Sequence, residues 1–591
     1  MKRYCLLVAV MVVFIPFVAK SQKPATTSSD FKLTKPNGQP MATLININNL
    51  SMWVRADGWS GRNPITRSAG TIFPWGTTNV IFQDGIIWGG IVEDGLRPGP
   101  KLRVGGQKFS TGTVPGRIIS KGVAEDPNAP DVRIWRIRRD YQTADLTQDA
   151  AELNNNPVDE VTEAQIQAVR QQYEKDWNEW PWEKGAPFYN NNDNGVMDPC
   201  EAPGLANADQ VVWFVANDLD EGSTFSAWES PRIGIEMQVT LWAYNRQNAF
   251  DNIIFKRYRL IYKGHEATPD TSRIDSMFIG QWSDSDIGDV QDDFAGCDST
   301  LQVAYGYNST TLDSEFHELN LPPPSVGYVL LQGPIVPDPN GDARFDFKTK
   351  RGFRNLKMSS FVYAYPGLQK PDFIPETRIR RKTFNNLNGF LPLVELKPYV
   401  DPEGNATKFP LNGDPINGRG WIDGVLQPPG DRRIMINAGP FTMALGDTQE
   451  VIVALVAGLG ADRLFSVQVM KHHAKWARQL ALANFELPPE PQPQEPSLPK
   501  HFRLSQNFPN PFNPGTEIHY ELPVERHVNL TVYNVLGQRI KTLVDEVKEA
   551  GSYSVTWDGT DERGQPVPSG VYFYRFDAGV VSGTKKMLLM R

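Results

Sequence analysis

Oxygen-bearing side chains recur at every second position through Asn190, Asn192 and Asn194, Gly195 follows, and Asp198 and Glu201 close the run. Counted from Asn190, the oxygens fall at positions 1, 3, 5, 9 and 12, glycine is at 6, and the Val196 carbonyl is at 7. In this spacing alternate side chains converge on one hard cation, glycine makes the turn, and the last glutamate chelates through both oxygens. The chemistry expected of the loop is Ca2+ binding. Three asparagines where carboxylates usually stand weaken it, towards the dissociation range of about 10⁻⁴–10⁻³ M typical of extracellular modules. A frame that uses Asp193 is one alternative, and an Asn/Gly-rich turn without an ion is another. Pro199 speaks against a helix leaving the loop.

A second acidic run holds Asp284, Asp286, Asp289, Asp292, Asp293 and Asp298 around Gly288 and Gly296. Carboxylates this dense repel one another unless they are solvated or bridged by a cation. Asp284, Asp286, Asp289, Asp292 and Asp293 are therefore read as metal ligands, with a solvated acidic loop as the alternative. Cys200 lies in the first loop and Cys297 in the second. A Cys200–Cys297 disulfide that pins the two loops together is expected, against two free thiols. Trp177, Trp180, Trp182 and Tyr189 flank the first loop and either stack on sugar rings or cap a core. The first loop also resembles the calcium loops of EF-hand, dockerin and thrombospondin type 3 modules.

Catalytic signatures are scarce. The sequence has no Gly-x-Ser-x-Gly elbow, His-Glu-x-x-His pair, phosphate loop or Cys-x-x-Cys-His. His472 and His473 are adjacent on a predicted helix, so their side chains diverge and do not share a metal as i,i+4 histidines do. A carboxylate pair for glycoside hydrolysis would come together only in space. The net charge of −8 argues against nucleic acid as a main partner.

The scaffold that must hold these loops is mainly β. Aromatics make up 11% of the chain, and 49 Gly and 47 Pro accompany them, which suits short strands joined by many turns. Gln210 to Ala216, Gly234 to Ala243 and Asn252 to Tyr262 are the clearest strands. In the third, Lys256, Arg257, Arg259 and Lys263 are expected to face out. Val132 to Ile137 alternates as a half-exposed strand. Repeated crossover helices are missing, so the body is read as an antiparallel β-sandwich with two isolated helices. One helix is expected over 159–179, with Thr162 as its N-cap, and the other over 462–485.

The organisation follows from composition. Lys2 and Arg3, the apolar run from Cys5 to Ala19 and the small residues Ala19 and Ser21 predict a signal peptide at 1–21. Its removal takes three cations and Cys5, lowering the formal charge from −8 to −11. No later segment is long and apolar enough to be a membrane span. Residues 22–45 are polar and expected to be flexible. A β-rich body follows over 46–486, expected as two subdomains with a boundary near 150–205. The Pro-rich stretch 487–499 reads as an extended linker, and 500–591 as a small β-sandwich.

This last module carries Asn507, Pro509, Asn510, Pro511, Phe512, Asn513 and Pro514 in its opening motif, and Leu536 and Gly537 in its middle. Trp557-Asp558-Gly559, Ser569-Gly570 and Lys585-Lys586 complete the series. In order and spacing these resemble the type A C-terminal sorting domain of the type IX (Por) secretion system. The resemblance implies an Ig-like fold similar to flagellar hook-cap scaffolding domains. It also implies recognition by the type IX machinery and a route through the periplasm of a Gram-negative-type bacterium to the cell surface or beyond. An ordinary Ig module used in adhesion is the alternative. The body weakly resembles uncharacterised secreted surface proteins that carry the same tag. Together these features predict a non-catalytic, calcium-stabilised adhesion, surface-layer or glycan-binding protein, whose partner would be surface polysaccharide or lipopolysaccharide. A secreted hydrolase of polysaccharide or protein is the alternative.

Overall fold

The computed structural model describes residues 34–35, 38, 40–93, 101–365, 368, 378–487, 503–549, 551–579 and 582–590. The chain divides into two compact units, Met1–Leu487 and Pro488–Arg591. The expected signal peptide and all but the first residue of the expected linker lie outside the described residues.

Two antiparallel sheets face each other in the first unit. One runs in the order Ser360–Ala364, Arg432–Ala444, Arg273–Ser285, Gln83–Val92, Leu102–Gly106. The other has nine strands and is centred on Gln210–Asn217, Ile235–Ala243, Ile253–Tyr262 and Thr448–Gly458, with Asp293–Asp298 at one edge. Alternation within Gln210–Asn217 shows how the larger sheet is used. Val212 and Phe214 point into the core between the sheets. Val211, Trp213 and Val215 point to the opposite face, where the Arg463–Leu482 helix lays Val467, Met470, Ala474, Ala477 and Leu480. A strand covered on both faces loses its polar alternation and reads as a continuous apolar run, as QVVWFVA does.

This double coverage corrects several expectations. Lys256 and Arg257 do not face solvent: both are buried, paired with Asp84 and with Glu450 respectively. Nor is the strand Trp135–Arg138 half-exposed. Its polar side is roofed by the helices Thr147–Asn154 and Glu163–Asn178, whose Asp149 and Asp176 receive the buried Arg136 and Arg133. Trp135–Arg138 pairs with Gln210–Asn217. The chain before 150 and after 205 thus shares one sheet, and no subdomain boundary falls between. The segment expected to be flexible over 22–45 ends in a buried strand, Ala42–Ile45.

Both predicted helices form. Thr162 caps Glu163–Asn178 through the Gln165 amide, and Gln165 answers with its side chain, completing a capping box. Asp462 caps Arg463–Leu482. Four shorter helices accompany these two among the described residues.

The second unit has its own core, built from Phe512, Ile518, Leu530, Trp557, Tyr574 and Met587 with their neighbours. Its four-stranded sheet places Gly570–Asp577 between Arg526–Asn534 and Ser582–Leu589. A three-stranded sheet pairs Thr516–Leu522 with Gly551–Trp557.

Candidate metal centre

The acidic run separates into two groups. Arg273–Ser285 and Arg432–Ala444 pair with Asp284 opposite Arg433 and Ser285 opposite Arg432. One step further in this register puts Asp286 opposite Asp431. Like charges facing each other across a ladder destabilise it, yet carboxylate oxygens of Asp284, Asp286 and Asp431 lie within 4.8 Å of one another. Asp284 and Asp286 are buried, and Asp431 is partly exposed. Asp293, first residue of the edge strand Asp293–Asp298, is 1% exposed. Burial, reinforced by the charges of Asp286, Asp292 and Asp431, pushes its carboxyl well above the usual range; the Ile287 amide offsets this only in part. Neither Asp293 oxygen has a well-formed hydrogen bond. Arg433 supplies one cation to the group, 2.8 Å from Asp431 and 3.4 Å from Asp284.

Asp289 and Asp292, expected as ligands, serve the adjoining loop instead. Asp289 accepts the Gln291 amide. Asp292 accepts from the Asn308 side chain at 2.7 Å and the Thr310 hydroxyl at 2.9 Å. Burial and the neighbouring Asp313 and Asp289 raise its pKa to about 6. Asp298 lies 3.1 Å from Lys471. Asp431 was not legible as a member of this group. The only signal was its place in a charged triplet, Asp431-Arg432-Arg433, directly before an apolar strand.

In the first loop the predicted side chains hydrogen-bond to one another and to the loop's own backbone. Asp198 accepts from the side-chain amides of Asn192 at 2.7 Å and Asn194 at 2.9 Å. Glu201 accepts the backbone amides of Asn191 and Asp198. Asn190, Asn192 and Asn194 accept amides of Asn194 and Val196. Gly195 takes the left-handed conformation, φ +74°, that its place in the turn demands. Asp193 leaves this set and pairs with Lys348 at 2.7 Å.

Cys200 and Cys297 are both free, so the expected disulfide is not formed. Cys297 faces the core between the sheets, where burial raises its thiol pKa, whereas Cys200 stands exposed in its loop. Of the aromatics beside that loop, Trp180 is core, and Trp177 and Trp182 are partly buried against it. Tyr189 takes a hydrogen bond from Arg139. His473 bonds the Ala457 carbonyl with Nδ1, and His472 accepts from the Trp476 indole, so the pair shares nothing.

The motif residues of the second unit fasten its two ends together. Asn507 bonds Thr516 and the Pro509 carbonyl. Asn510 accepts the Leu588 amide, and the Phe512 amide donates to the Leu588 carbonyl, so the opening motif lies along the last strand. Phe512 meets Trp557 at 5.6 Å between ring centroids. Gly537, at φ +74°, makes a turn whose neighbours Val535 and Leu536 are exposed.

Residues 514–579 match the FlgD Ig-like domain family, and the second unit therefore carries an Ig-like domain. At 27% identity the chain is similar to FlgD from P. aeruginosa over 12% of its own length and 57% of that protein, with a TM-score of 0.11. It is similar to PorZ of Porphyromonas gingivalis, described as an essential bacterial surface component of the type-IX secretion system. That match has 11% identity, 68% of this chain, 47% of that chain and a TM-score of 0.12. Dimeric latent PorU from Porphyromonas gingivalis matches at 9% identity, 64% of this chain, 31% of that chain and a TM-score of 0.13. At these scores the likenesses carry no functional argument. No curated protein matches the chain by sequence. No helix among the described residues is long and apolar enough to cross a membrane.

Proposed function

We propose that the protein is secreted or held at the cell surface. In this reading residues 500–591 are a type IX secretion sorting domain, and the body is a non-catalytic, calcium-stabilised adhesion, surface-layer or glycan-binding protein. The observation that carries the reading is the Ig-like match at 514–579, which falls on a unit with its own core. The motif residues from Asn507 to Phe512 are spent on closing that unit against its last strand, so the module folds as a self-contained tag. The loop at 190–201 supplies one calcium site, with Asn190, Asn192, Asn194, Asp198 and Glu201 as side-chain ligands and Val196 through its carbonyl. A surface polysaccharide or lipopolysaccharide would be met by the groove of about 420 Å³ beside Trp182, which Asp131, Arg133, Glu179 and Lys184 also line.

Deletion of residues 500–591 tests the export reading. The shortened chain is expected to stay inside the outer membrane, and 500–591 fused to a periplasmic reporter is expected to carry it to protease-accessible positions on intact cells. Undiminished surface exposure of the shortened chain would overturn the assignment.

A further inference from the structure

We propose that Asp284, Asp286, Asp293 and Asp431 form a buried divalent-cation site, filled by calcium, that clamps the two sheets of the body together. The group spans both sheets. Asp284 and Asp286 stand at the end of one central strand, Asp431 precedes its neighbour in the same sheet, and Asp293 opens the edge strand of the facing sheet. An ion held among them would tie Asp431 to the stretch 284–293, which lies far from it in the sequence. The Gly430 amide already donates to the Asp293 carbonyl at 3.1 Å, so the backbones meet at this point.

Two observations support a cation rather than a repelling cluster. Asp293 buries both carboxylate oxygens without a well-formed hydrogen bond. A buried carboxylate with so little compensation is costly, and proteins keep such groups where an ion or a proton offsets the charge. Asp284, Asp286 and Asp431 each bring a carboxylate oxygen within 4.8 Å of the others. Calcium–oxygen distances of about 2.3–2.6 Å put opposite ligands about 4.6–5.2 Å apart, so this spacing suits one shared ion. The donors are all oxygen, which selects a hard cation. A cage of carboxylates in which each can chelate with one or two oxygens suits the high, flexible coordination of calcium better than the strict octahedron of magnesium. Asp431 is the partly exposed member and marks the side from which an ion would enter.

The site is tested on the whole chain, purified in calcium and passed into calcium-free buffer. Bound metal is measured by mass spectrometry, and melting is followed in millimolar CaCl2, in MgCl2 and in EDTA. Asp293→Asn and Asp431→Asn are each expected to carry one calcium fewer per chain than the wild type. Each is expected to melt below the wild type in calcium but level with it or above it in EDTA, because the amide then relieves repulsion. Glu201→Gln, which disables the 190–201 loop, should leave this ion in place, so the two sites fail separately. Unchanged metal content in both Asp variants, or the same ranking of melting temperatures in calcium and EDTA, would overturn the proposal. A magnesium response equal to that of calcium would overturn the choice of ion.

Discussion

Lys256→Met is expected to be among the most damaging single changes in the body. Lys256 rises from a central strand of the nine-stranded sheet and meets Asp84, on the facing sheet, with side chains 1% and 0% exposed. Asp84 also receives the hydroxyls of Ser60 and Tyr328, and Lys256 donates to Ser60 at 2.9 Å. Methionine nearly matches the lysine stem in volume, so the cavity contribution is small and the electrostatic one dominates. Removing one partner of a buried pair leaves an uncompensated charge and costs about 3–5 kcal/mol. Two hydroxyl donors remain on Asp84, which places the expectation near the lower end of that range. Equilibrium urea unfolding reports the loss, and the transition of the Ig-like unit, which has a separate core, serves as an internal reference that should not move. Adding Asp84→Asn to Lys256→Met removes the stranded charge. The double variant is expected to be more stable than the sum of the single losses by about 0.5–3 kcal/mol. A cost below about 1 kcal/mol for Lys256→Met, or strict additivity in the cycle, would refute this account of the pair.

Two further outcomes follow from the same structure. In the chain without residues 1–21, a thiol reagent should modify Cys200 promptly and Cys297 only on unfolding, since one is exposed and the other buried; a native protein with no reactive thiol would contradict the free cysteines. Asp218 is buried, and burial lifts its pKa from the ordinary 3.8 to about 6 despite amides donated by Ile233, Gly234 and Ile235. A raised carboxyl pKa contributes stability that is present below about pH 4 and lost as pH rises through 6. The stability of the wild type relative to Asp218→Asn should thus fall between pH 4 and 6, by on the order of 3 kcal/mol for a two-unit shift, and parallel pH profiles of the two proteins would rule this out.

Much of the fold was legible because it is local. The capping box at Thr162 and Gln165, the apolar stripe of Arg463–Leu482 and the turn at Gly195 depend on residues within a few positions of one another. The hydrogen bonds that tie Asn190, Asn192, Asn194, Asp198 and Glu201 into one turn are likewise local, since one loop supplies both donors and acceptors. The opening motif of the last module was readable as sequence, although its attachment to Ser582–Leu589 was not. What misled was the assumption that charge marks solvent. Lys256, Arg257, Arg133 and Arg136 sit at positions of alternation that ordinarily face water. Each is instead buried against a carboxylate on another element, Lys256 and Asp84 being 172 residues apart.

The sequence by itself therefore determined the strand-rich character of the chain, its two main helices, the geometry of the 190–201 loop and the position of the C-terminal module, because short-range periodicity and turn chemistry suffice for these. Only the tertiary structure decided that Asp431 joins Asp284 and Asp286 while Asp289 and Asp292 do not, that Cys200 and Cys297 stay apart, and that the body is one unit. Those outcomes depend on which strands pair and which sheet faces cover each other. Strand pairing is set by the summed burial of two whole sheets, a quantity that no local stretch of residues contains.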